Sequence, residues 1–123
     1  MNYLLHWEVM PMKLYTYNAK LDRVVDGDTV DAMIDLGFDT WVHKRIRLLG
    51  IDAPETRTRD LEEKAAGYRT KERLSELLEA SEGLFVVESQ GVGKYGRCLG
   101  VIWIGDNNIN NLLLQEGLAE VYE

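Results

Sequence analysis

The sequence predicts a mainly β fold with added helices, and three observations predict it. Five short segments alternate apolar and polar residues or concentrate β-branched and aromatic ones, as strands do. One long segment, residues 60–80, instead carries its apolar and small residues at helical spacing. Turn residues, among them Asp26-Gly27-Asp28, Gly37, Pro54 and Gly105-Asp106-Asn107, punctuate the chain at short intervals. The expected order is β-β-β-α-β-β-α, with no internal repeat and no linker.

Residues 13–25 alternate as a half-buried strand, with Leu14, Thr16 and Asn18 opposite Tyr15, Tyr17 and Ala19, and Asp26-Gly27-Asp28 supplies the turn of a hairpin. Residues 29–35 resume the alternation until Gly37 breaks it. Residues 40–49 make a third strand from Trp41, Val42, Ile46, Leu48 and Leu49 mixed with charges. Pro54 has no backbone donor and drives Ala53 into an extended conformation, so residues 50–56 form a fixed loop. The helix at 60–80 follows from Ala66, Thr70, Leu74, Leu77 and Leu78, with acids early and Gly83 just past its end. Residues 84–89 are a fourth strand, 90–96 a glycine-rich connection, and 98–104 a fifth strand. A last helix starts near Asn107 or Asn108 and runs through Ile109, Leu112 and Leu113 to Gly117, a natural residue beyond a C-cap. Five short strands with a helix between the third and fourth fit a small closed barrel of the OB type, whose closure removes exposed edges. An open α+β sandwich is the alternative.

A chain of 123 residues holds one core, so residues 12–123 are expected to be a single domain, with residues 1–11 an N-terminal appendage. No apolar run reaches the length of a bilayer span, and the first eleven residues lack the pattern of a secretory signal. The expectation is a cytoplasmic protein with no membrane partner. One cysteine, Cys98, makes neither an internal disulfide nor a thiolate zinc site, and reads as a small buried apolar residue. Twenty-one acidic residues against fourteen basic ones give a net charge of −7, which by itself repels polyanions. The excess is local, however. Residues 60–82 hold seven acids against four bases, whereas residues 43–59 hold five bases against Asp52 and Glu55.

Three segments gather polar groups at expected turns: Asp26-Gly27-Asp28-Thr29, the run R-L-L-G-I-D-A-P-E from Arg47 to Glu55, and Lys94-Tyr95-Gly96-Arg97. Each alone is a hairpin, a helix cap or a solvated connection. Together they supply carboxylates and arginines in complementary roles. Oxygen ligands such as Asp28 and Asp52 suit calcium or magnesium, and the lack of clustered histidines and thiolates argues against zinc.

The blocks V-V-D-G-D-T-V, R-L-L-G-I-D-A-P-E-T and K-Y-G-R, in this order and flanking one helix, resemble the signature blocks of the staphylococcal nuclease (thermonuclease) family, over roughly residues 13–121. The resemblance implies an OB barrel with added helices, calcium as cofactor, and hydrolysis of phosphodiester bonds in DNA or RNA, with endonuclease as the expected mode. It further implies that Asp28, Asp52 and the main-chain carbonyl of Ala53 hold the metal, and that Glu55 reaches it through water and handles the attacking water. Arg47 and Arg97 bind phosphate, Asp26 is a carboxylate near the metal waters, and Lys94 and Tyr95 contact the terminal phosphate and sugar of the substrate. The rival is a non-catalytic nucleic-acid- or protein-binding OB module of the same family. Such modules usually lose carboxylates or arginines that are retained here.

The chemistry supports these roles independently. Phosphodiester hydrolysis gathers negative charge on the equatorial oxygens, which a cation and two forked guanidinium groups meet. A carboxylate is a weak base, so Glu55 is assigned to positioning water before taking its proton. Lys44 and Arg45 read as solvated strand residues, His6 and His43 as surface groups, and Trp7, Trp41 and Trp103 as core or edge packing. After Q-E-G-L-A-E-V-Y-E the chain stops where relatives commonly continue, and Tyr122 occupies no clearly matching position. Leu114 and Leu118 would form a second apolar stripe on the last helix, which predicts either a weak homodimer through this helix or docking of the appendage against it.

Overall fold

The computed structural model describes residues 15–92 and 96–122. The proposed appendage, Lys94 and Tyr95 lie outside these residues. The elements are β1 (Thr16–Asp26), β2 (Thr29–Asp35), β3 (Trp41–Leu48), β4 (Ile51–Asp52), α1 (Leu61–Ala80), β5 (Leu84–Val92), β6 (Cys98–Ile104), β7 (Asn107–Asn108), α2 (Ile109–Gln115) and β8 (Glu120–Val121). The five long strands and two helices thus follow the expected order, and three two-residue strands join them.

The strands run in the order β3-β2-β1-β5-β6, and β6 returns to pair in parallel with β3, closing a five-stranded barrel. Closure is the decisive feature, and it sets aside the open sandwich. β5 continues through Gln90, Gly91 and Val92, a stretch the sequence assigned to the connection. The reason is an irregularity between Ser89 and Val92 that lets Val92 still pair with Cys98.

Val30, Ala32 and Ile34 of β2 and Ile46 and Leu48 of β3 point inward and meet Phe85, Val87, Ile102 and the helices in one core. The alternation that identified these strands is the consequence of that inward face. Cys98 is half-buried against the same core, in keeping with an apolar packing role.

α1 begins where Asp60 accepts from the amides of Glu62 (3.0 Å) and Glu63 (3.2 Å), and those two acids sit favourably at the positive end of the helix dipole. Its buried face is Gly67, Thr70, Leu74 and Leu78, one stripe at spacings of three and four. The helix ends at Ala80 and the chain leaves it through Glu82 at φ 58°, with the Gly83 amide donating to the Leu78 carbonyl at 2.8 Å, so the left-handed turn starts one residue before the glycine that announced it.

α2 is capped by the Asn108 side chain, which accepts from the Asn111 amide at 3.0 Å. It stops at Gln115, and Gly117 at φ 72° turns the chain so that the Leu118 amide donates to the Leu113 carbonyl at 3.0 Å. Leu118 therefore lies beyond the helix rather than on a second helical stripe. Leu112, Leu114 and Leu118 all pack partly buried against the core. The second helical stripe expected of Leu114 and Leu118 is corrected by this turn. Among the described residues no helix is long and apolar enough to cross a membrane.

Candidate active site

Two close approaches of α1 set the geometry of the site. A Cβ on Gly27, in the β1–β2 turn, would stand 2.5 Å from Thr70 Cγ2, so only glycine lets the turn rest on the helix. One helical turn away, a Cβ on Gly67 would stand 2.7 Å from the carbonyl oxygens of Pro54 and Glu55. The helix thus presses both acid-bearing loops, 26–28 and 52–55, towards each other. Thr70 also donates its hydroxyl to the Leu118 carbonyl, tying in the C-terminal turn.

Barrel closure brings the remaining pieces. Ile46 pairs with Cys98 and Arg47 with Leu99, which brings Arg97, the residue before Cys98, alongside Arg45 of β3. Asn110, 3 % exposed, donates to the carbonyls of Leu49 (2.9 Å) and Gly100 (3.1 Å) and accepts from the Ile102 amide, so α2 fixes the loop after β3 to β6. β8 pairs Glu120 with Asp52 and Val121 with Ile51, and the Tyr122 amide donates to Gly50. The result is a cleft of about 590 Å³ lined by Asp26, Asp28, Arg47, Asp52, Ala53, Glu55 and Arg97, with Thr29 and Tyr122 among its other walls.

Arg47 is the hub of the cleft. Its Nη1 donates to the carbonyls of Ile51 (2.8 Å) and Leu48 (3.2 Å) and stands 3.4 Å from Asp28 Oδ2, while Nη2 donates to Asp52 Oδ1 at 3.2 Å. The Tyr122 ring lies 5.6 Å from the guanidinium carbon. Asp28 is buried, and its carboxylate accepts from the Thr29 hydroxyl (2.9 Å) and the Ala53 amide (2.9 Å). Asp26 accepts from the Thr56 hydroxyl at 2.6 Å. Asp52 and Glu55 stand at the exposed side of the cleft.

The donor chemistry fits a hard cation. Asp28 and Asp52 are drawn to one guanidinium, and every candidate ligand is an oxygen. No group of three or more histidine, cysteine or acidic side chains among the described residues could hold a metal ion by itself. Two carboxylates completed by a main-chain carbonyl and water are a ligand set of the kind calcium or magnesium accepts.

Every described residue singled out in the sequence for this chemistry lines the same cleft. Thr29, Thr56 and Tyr122 were not singled out. The first follows Asp28 directly in the D-G-D-T block, whereas Tyr122 arrives only through a two-residue strand pairing. A second cluster escaped the sequence reading altogether. Asp31, 6 % exposed, accepts from Arg45 Nε (2.8 Å), Arg45 Nη2 (3.1 Å) and Arg23 Nε (3.2 Å). Arg45 is therefore an ion-paired residue, not merely a solvated one. Its hydrogen bonds, against the opposing effect of burial and with help from Arg23, hold the Asp31 carboxyl below the usual carboxylate value. His43 lies on the surface as expected, with Nε2 2.9 Å from Asp22 Oδ2, and Trp41 is half-exposed at the start of β3.

A family described as "Staphylococcal nuclease homologue" matches residues 45–123. The thermonuclease of Staphylococcus intermedius is 38 % identical over 101 residues, covering 79 % of this chain and 55 % of its own length. Protein ParB of Escherichia coli is 30 % identical over 109 residues, covering 81 % and 54 %. Endonuclease YncB of Bacillus subtilis (strain 168) is 31 % identical over 105 residues, covering 85 % and 47 %. The chain thus spans about half the length of these relatives.

Proposed function

The chain belongs to the staphylococcal nuclease family, and from that premise we propose that its cleft hydrolyses phosphodiester bonds inside DNA or RNA strands by attack of water, with calcium as cofactor. The observation that carries this reading is the convergence of Asp28, Asp52, Glu55, Arg47 and Arg97 on one cleft.

Asp28, Asp52 and the Ala53 carbonyl would hold the ion. Bound there, calcium would supply positive charge to the phosphoryl oxygens. The protein's own contribution is preorganisation. Arg47 is locked by two main-chain carbonyls, so its charge is aimed before substrate arrives. Its Nη2 rests on the half-exposed Asp52 carboxylate, the contact a phosphate oxygen can most readily replace or share. Arg97 completes a pair of guanidinium groups that cannot lose their charge at neutral pH. Glu55, at the solvent side, positions the water that attacks phosphorus. The non-catalytic alternative leaves unexplained why all five chemical groups share one cleft.

The test is incubation of the purified chain with supercoiled plasmid and with single-stranded RNA, in calcium and in excess chelator. Cleavage that needs calcium is the expected result. Undiminished cleavage in chelator contradicts the role of the ion, and binding without cleavage in either condition favours the binding module.

A further inference from the structure

We propose that Arg23 and Arg45, held on Asp31, form a second phosphate-binding position for the nucleic-acid strand, flanking the nucleotide in the cleft. This inference rests on the nucleic-acid reading above and assigns surface outside the cleft.

The placement follows from register. Ile46 and Leu48 point into the core, so Arg45 and Arg47 share the outer face of β3. Across the strands, Asp26, Thr29 and Arg47 form one row, and Arg23, Asp31 and Arg45 form the next. Two residues along a strand is about 6.8 Å, a step comparable to that between successive phosphates of an extended strand. The rows are also electrically in touch. Arg45 is pushed above its ordinary value chiefly by the hydrogen bond to Asp31, and the charge of Asp26 in the cleft row adds to the effect.

The composition of the outer row is what asks for an anion. The fork of Arg45 engages both oxygens of Asp31, which would already satisfy a single buried carboxylate. Arg23 adds a second positive charge, so the row carries a surplus of +1 on a chain whose net charge is −7. Both arginine side chains are well exposed, 60 % and 46 %, while the carboxylate beneath is 8 % exposed. Arg23 meets Asp31 through Nε, so its terminal amino groups are not spent on that contact. The neighbouring acid, Asp22, has its Oδ2 2.9 Å from His43 Nε2. Asp31 thus fixes two guanidinium groups in place while the positive surplus faces solvent, an arrangement suited to phosphate.

Fluorescence anisotropy of end-labelled oligothymidylates two and eight nucleotides long, measured on the full chain in chelator so that nothing is cut, tests the proposal. The variants are Arg23→Gln, which removes the surplus charge but leaves the Arg45 guanidinium on Asp31, and the triple Arg23→Gln/Asp31→Asn/Arg45→Gln, which removes both guanidinium groups without stranding a buried carboxylate. For the octamer, the triple variant should raise Kd about three- to tenfold and flatten the slope of log K against log salt by about 0.7, the value for one phosphate contact on a single strand. Arg23→Gln should fall between, and the dimer should bind all three proteins equally. Unchanged octamer binding, or equal weakening for both lengths, overturns the proposal. If hydrolysis in calcium were absent while the length-dependent contrast persisted, the flanking site would stand and the hydrolytic reading would fall.

Discussion

Two clusters of arginine and aspartate lie one strand step apart on the same outer face, built in opposite ratios. In the cleft one arginine, Arg47, is shared between two carboxylates, at 3.4 Å from Asp28 and 3.2 Å from Asp52. In the outer row one carboxylate, Asp31, is shared between two arginines, at 2.8 Å from Arg45 and 3.2 Å from Arg23. The first has negative charge to spare and suits a cation. The second has positive charge to spare and suits a phosphate. Burial differs in the same sense, since the side chain of Arg47 is 13 % exposed whereas those of Arg45 and Arg23 are 46 % and 60 % exposed. The same two residue types thus acquire different work from stoichiometry and solvent access, and neither can be read from a count of salt bridges.

The comparison breaks most sharply at Arg47. Arg47→Ala should lower turnover by about two to three orders of magnitude, the scale for losing one preorganised donor to a developing charge. It should leave the circular-dichroism spectrum of the barrel intact. An alanine variant with near-normal turnover would remove Arg47 from the mechanism and with it the distinction between the two clusters.

A smaller effect is expected from Gly67→Ala. Its Cβ would need to displace the carbonyls of Pro54 and Glu55 from 2.7 Å, a backbone shift of the kind that costs about 1–3 kcal/mol. Because those residues carry the cleft's outer wall, cleavage should fall together with melting temperature. A variant that melts earlier yet cuts normally would show that the helix supports the fold without positioning Glu55.

The smallest effect distinguishes the outer cluster by pH. Asp31 titrates below the ordinary value of 3.8, first because Arg45 hydrogen-bonds its charged form. A carboxyl depressed in the folded state contributes stability that is present above the unfolded pKa and is lost as pH falls through the folded one. Asp31→Asn should therefore flatten the acid limb of the melting curve below about pH 4. An acid limb identical to that of the parent chain would show that the pair contributes nothing to folding.

The barrel and the cleft were legible for reasons that also mark where legibility ended. Alternation in residues 29–35 and 40–49, the helical stripe behind Asp60, and the three polar blocks are local patterns, each imposed by one element. Asp31 illustrates the limit. In T-V-D-A-M-I-D it occupies the solvent position, and only the register of β1 and β3 reveals that two arginines cover it. Tyr122 depends on β8 returning to β4, a pairing of two residues that leaves no periodic trace. Leu118 read as helical from its spacing to Leu114, although Gly117 already marked the end of the helix, and the chain does turn at Gly117 before reaching it.

The central claim is that the cleft cluster performs the chemistry and the outer cluster does not. Single-turnover cleavage of a short labelled strand at saturating protein, in calcium, by Asp28→Asn and by Asp31→Asn tests it directly. Asp28→Asn should lose about two or more orders of magnitude in rate, while Asp31→Asn cuts at close to the parent rate. Equal rates in the two variants, or cleavage by Asp28→Asn that survives intact, would contradict the account.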